Sequence, residues 1–114
     1  MQYLLLIYED EKRFNGLSEA ALGSEVGEYR KFGQSFAGNI KGGNALQPTT
    51  TAKTVRVRDG RRLTSVGPFA ETKEQLGGYY LVEAASDNEA VAMAEKIPGA
   101  RYGSIEVRPI MTFS

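Results

Sequence analysis

Tyr3 to Tyr8, in the opening stretch MQYLLLIYEDEKR, form six consecutive residues that are apolar on both faces of a two-residue period. Such a run predicts a central strand covered on each side. It falls far short of the roughly 18 apolar residues that span a bilayer. Its charges follow the run instead of preceding it, so it reads as a strand and not as a signal peptide. The expected location is therefore the cytoplasm, with no membrane partner. A chain of 114 residues is long enough to close one core around this strand without disulfides or a structural metal, and a single domain over residues 1–114 is expected.

Downstream of the strand, Leu22, Val26, Tyr29, Phe32, Phe36 and Ile40 recur at helical steps and predict one helix from about Leu17 to Ile40, with Ser18 as its N-cap. Gly23, Gly27, Gly33 and Gly38 lie inside this pattern, each costing about 1 kcal/mol relative to Ala. The helix must then be held by tertiary packing or end early, and Gly42-Gly43 is read as its stop. The segment AKTVRVRDGRRLTSV reads as a β-hairpin. A two-residue Asp59-Gly60 turn would split its apolar residues between faces. A three-residue Arg58-Asp59-Gly60 loop pairs Val55 with Leu63 and is the preferred register.

YYLVEA is a further strand, and Ser86-Asp87-Asn88-Glu89 is a capping box opening a second helix whose buried stripe is Ala90, Val91, Ala94 and Ile97. Pro98-Gly99 ends that helix. SIEVRP supplies the last strand, with Ile105 and Val107 on one face and Glu106 and Arg108 on the other. The order βα, hairpin, βαβ predicts an α+β fold with helices on one side of a mainly antiparallel sheet. Because the first strand is apolar on both faces and only two helices are available, a second copy of the chain is the expected cover for the open face.

Fourteen basic residues balance fourteen acidic ones, so no overall field favours nucleic acid or an anionic surface. There is no cysteine and no histidine, which removes thiolate and imidazole nucleophiles, His-ligated metals and haem with a proximal His. Carboxylate, Tyr, Lys and Arg chemistry remains, with neither metal nor cofactor expected. Arg56, Arg58, Arg61 and Arg62 lack interleaved aromatics and read as a solvated hairpin tip instead of a nucleic-acid surface. Glu9-Asp10-Glu11 matches no calcium-loop spacing and reads as a solvated turn after the first strand.

GPFAETKEQLGGYY and ARYGSIEVRP, together with MQYLLLIY and ALQPTTTAKTVRVRDG, closely resemble the YCII-related proteins that carry the DGPF motif. The resemblance implies a ferredoxin-like fold paired into a dimeric α+β barrel. It also implies a largely uncharacterised family whose members often stand beside extracytoplasmic-function sigma factor genes, so an accessory role beside such a factor is one implied reading. The motif reads Val66-Gly67-Pro68-Phe69 here, with valine in place of its aspartate. The His/Asp pair of the YCII branch is absent as well: there is no histidine, and Ile97 precedes Pro98 where that branch has Asp-Pro.

Two loops carry the candidate site. Glu71-Thr72-Lys73-Glu74 offers two carboxylates, a hydroxyl and an ammonium beside Pro68 and Gly77-Gly78; Arg101-Tyr102 offers a guanidinium fork and a phenol. Tyr8, at the end of a central strand, is the phenol expected in a cleft. One reading is a small-molecule-binding or regulatory dimer with Tyr8, Thr72, Lys73, Arg101 and Tyr102 on the ligand. The other is a cofactor-independent acid–base enzyme, an isomerase, lyase or hydrolase, with Glu71 or Glu74 as base and Arg101 holding developing charge. Against both stands the plain alternative in which Arg101 pairs with Glu71 or Glu74 and only locks the loop.

Overall fold

The first strand, β1 (Gln2–Glu9), lies inside the sheet, as its double apolar face requires. In the computed structural model, which describes residues 1–113, it is followed by a single turn of helix α1 (Lys12–Asn15), the long helix α2 (Glu19–Ser35) and strand β2 (Ile40–Ala45). A hairpin of β3 (Lys53–Arg58) and β4 (Arg61–Val66) comes next, then β5 (Gln75–Glu83), helix α3 (Asp87–Ala94) and β6 (Ser104–Pro109). The four-stranded antiparallel sheet runs β2-β5-β1-β6, while β3 and β4 pair only with each other. Two βαβ units with this strand order make the ferredoxin-like α+β arrangement, and the hairpin is an insertion between them.

Alternation along β1 sets the layers. Tyr3, Leu5, Ile7 and Glu9 are buried on the helical side. Across the strands Leu5 faces Tyr80 and Val107, and Ile7 faces Gly78 and Ile105. Phe32 of α2, with its ring centroid 5.0 Å from both Phe36 and Tyr80, joins Val82, Ala90, Met93, Ala94 and Ile97 in one core. In α3 the serine of the capping box accepts from the Glu89 N–H at 3.2 Å, while the Glu89 carboxylate reaches back to the Ala85 N–H at 3.1 Å. Val91 is exposed instead of buried, and Met93 takes its expected place because α3 leans on the sheet through the next row of its surface.

Two readings of the sequence are corrected. The long helix begins where expected, with Ser18 Oγ accepting from the Ala21 N–H at 3.1 Å, but it ends at Ser35, and Ile40 opens a strand absent from the sequence reading. Gly42 and Gly43 stop no helix; both lie in β2, and Gly43 lets that strand lie close to β5. A Cβ on Gly43 would sit 2.8 Å from the Tyr79 carbonyl oxygen and 2.9 Å from the Tyr80 ring. The hairpin takes the two-residue turn: Arg58 pairs with Arg61, Val57 with Arg62 and Val55 with Thr64. Asp59 and Gly60 both have positive φ, at 51° and 74°, as a turn matching the twist of its strands demands. The apolar set is indeed split, but Val55, Val57 and Leu63 are all more than half exposed, so no core penalises the split and the turn dictates the register.

The other side of the sheet carries no helix. Leu4 stands opposite Leu81, Leu6 opposite Tyr79 and Tyr8 opposite Leu76, all half-buried by their strand neighbours alone. The molecule is accordingly a slab, 47 × 47 × 19 Å.

Candidate functional site

Helix α2 closes on the sheet only at its C-terminal half, through Phe32. Toward its N-terminus Leu22 and Val26 stay exposed, and the gap beneath them is a cavity of about 890 Å³ between α2 and strands β1, β2 and β5. Its walls are mostly apolar, with Ile7, Phe14, Leu22, Val26, Leu46 and Tyr80 among them. Its polar lining includes Glu9, Glu25 and the Tyr29 hydroxyl at the inner end and Glu11 nearer the rim.

Glu9 points inward because it is the fourth member of the alternation Tyr3, Leu5, Ile7, Glu9, and it is only 6% exposed. A buried carboxylate requires a partner. The chain supplies one within a turn: Asp10 accepts from the Lys12 N–H at 3.0 Å, α1 forms, and Arg13 swings back over the strand end. One nitrogen of Arg13, Nη2, lies 3.1 Å from Glu9 Oε2 and 2.5 Å from Glu25 Oε1 on α2. The guanidinium also stands 4.0 Å from the Tyr102 ring centroid and 4.9 Å from that of Phe14. Burial opposes the charge on Arg13, and the hydrogen bonds it donates to Glu25 and Glu9 outweigh that, so its pKa is raised. Burial and the nearby Glu9 charge likewise push the Tyr29 hydroxyl upward, against an opposing bond from the Gly99 backbone, so it remains a neutral phenol.

The turn at residues 98–101 passes directly behind this cluster. A Cβ on Gly99 would lie 2.5 Å from Glu9 Oε1 and 2.8 Å from the Tyr29 hydroxyl, and one on Gly103 would collide with the Tyr8 carbonyl oxygen. On the other flank, Glu11 accepts from the N–H and the hydroxyl of Thr49, both at 2.8 Å, which ties the connection after β2 to the cavity rim. Read from sequence as one solvated turn, Glu9, Asp10 and Glu11 thus go three separate ways, one into the core, one to a helix start and one to a neighbouring loop.

The residues singled out from sequence lie elsewhere. Tyr8 projects from the open sheet face, opposite Leu76. Thr72 donates to the Glu74 carbonyl, Gln75 donates to the Thr72 carbonyl, and Glu74 Oε1 accepts from Ser104 Oγ at 2.8 Å, so the 71–74 loop is closed on itself and on β6. Glu71 and Lys73 are exposed. Arg101 pairs with Glu28 of α2, not with Glu71 or Glu74, and that bond raises its pKa. Tyr102 alone among them touches the buried cluster, through Arg13. Val66, in the place of the motif aspartate, is 81% exposed at the base of the hairpin arm, away from the cavity. The signal that could have found the cluster was present: Glu9 is in phase with the buried side of β1, and Arg13 follows four residues later.

A carboxylate fixed by a guanidinium, a neutral phenol beside it and an apolar enclosure can receive a hydrogen-bond donor or a cation and pack the rest of a small molecule. Among known proteins, the sequence model of the YCII-related domain matches residues 1–114. An uncharacterized protein of Rhizobium meliloti (strain 1021) is 38% identical over 119 residues, spanning 99% of this chain and 94% of that one.

Proposed function

The chain belongs to the YCII-related family, and from that premise we propose that it is a small-molecule-binding homodimer whose ligand sits under α2. The cavity carries this reading: at about 890 Å³ it has the size and the mixed lining of ligand sites, which run from roughly 300 to 1,000 Å³ and combine apolar walls with a few fixed polar groups. The site therefore centres on Glu9, Glu25 and Tyr29, with Arg13 as the positioning residue, and the 71–74 loop is a structural element of the β5 entry.

The dimer is supported by the other face of the sheet. Leu4, Leu6, Leu76, Tyr79, Tyr8 and Leu81 form a continuous apolar patch without a helix over it, and two such faces bury one another in a self-complementary contact. Among the described residues no helix is long and apolar enough to cross a membrane. Sedimentation velocity on the wild type and Leu6→Lys tests the dimer, with a twofold mass lost in the variant as the expected result. A thermal-shift screen against small metabolites tests the cavity, since a ligand that binds only the folded state raises the melting temperature; the reading fails if no compound shifts it.

A further inference from the structure

Resting on the cavity reading above, we infer that the ligand is a protonated amine with an apolar or aromatic body, held by the carboxylate of Glu9. The charges decide this. The wall holds three carboxylates, Glu9, Glu11 and Glu25, and no lysine or arginine among the described residues. The one guanidinium that approaches them, Arg13, uses the same nitrogen for both Glu9 and Glu25, so the inner end keeps a net negative charge. An anion entering there would be desolvated against like charge, while an ammonium would be desolvated against an acceptor.

Glu9 identifies the point of attachment. It is 6% exposed, its Oε2 is occupied by Arg13, and its Oε1 accepts no hydrogen bond from any described residue although the side chain forms part of the cavity wall. An acceptor that takes no donor from the chain leaves lone pairs for a ligand. An ammonium has three donors, so one can serve Glu9 while the others meet further acceptors of the wall. The rings of Phe14, Tyr29 and Tyr80 add faces that attract a cation and pack an aromatic body. The mouth, framed by Leu22, Val26 and Leu46, admits apolar groups.

The test is a titration of three isosteres, 2-phenylethylamine, 2-phenylethanol and phenylacetate, read by calorimetry and by ligand-observed magnetic resonance on the wild type, Glu9→Gln and Val26→Trp. The inference expects the amine to bind at least tenfold more tightly than the alcohol and phenylacetate weakest. It expects Glu9→Gln to remove the preference for the amine over the alcohol, and Val26→Trp, which fills the mouth, to weaken all three. Equal binding of amine and alcohol to the wild type, or preference for phenylacetate, overturns the amine while leaving the cavity reading intact. No binding of any isostere, with no hit in the metabolite screen, overturns both. Because the ranking is measured on the wild type, it decides the matter even if Glu9→Gln does not fold.

Discussion

Gly99 lies so close against Glu9 that a β-carbon there would stand 2.5 Å from the carboxylate oxygen Oε1. Backbone and buried acid share one contact surface, and the same added carbon would meet the Tyr29 hydroxyl at 2.8 Å. Gly99→Ala is therefore expected to destabilise the fold by about 1–3 kcal/mol through overpacking and to weaken amine binding by displacing Glu9. Urea denaturation and the isostere titration measure the two effects. Stability equal to the wild type would show that the turn at residues 98–101 moves freely.

Arg13→Met tests the counter-charge. It leaves Glu9 and Glu25 buried without their cation, and removing one side of such a group costs about 3–5 kcal/mol. Replacing all three residues by apolar ones of similar volume should recover most of that loss, since desolvating the ions is then no longer required. Chemical denaturation of the single and triple variants gives the comparison; equal losses would show that the cluster is not a unit.

Alkaline pH should loosen the junction of β1 and α3. Tyr3 is fully buried and donates to Asp87 at 2.6 Å; that bond and the burial hold its hydroxyl protonated, pushing its pKa from 10.0 up to about 12. The folded state then keeps a proton that the unfolded chain gives up, so the contribution of this residue is intact below pH 10 and is lost as pH rises from there toward 12. Tyr3→Phe should flatten the fall in melting temperature across that window. An unchanged slope would assign alkaline unfolding to other groups.

Two glycines in α2 are expected to be improvable. A Cβ on Gly23 or Gly27 would meet nothing within 4 Å, so alanine at either site should raise stability by about 0.5–1 kcal/mol through helix propensity alone. Thermal melts of the single and double variants measure it. A loss at either site would overturn the expectation.

What the sequence determined by itself was what short-range physics encodes. The period of residues 3–8 placed β1 in the sheet, Ser18 and the Ser86/Glu89 pair began the helices, and the alternation of SIEVRP set the faces of β6. Each depends on groups a few residues apart. The rest was decided by contacts between distant segments. Gly42-Gly43 carries no strand propensity and joins β2 through its pairing with β5, where Gly43 leaves room for Tyr80. The hairpin takes its turn-dictated register only because the fold brings no core to its apolar residues. Glu9 changes from a solvated acid to a buried one because α2 lays Glu25 beside Arg13, twelve residues away in the chain. Burial and charge pairing are properties of the packed molecule, so the site they create became visible only in the tertiary structure.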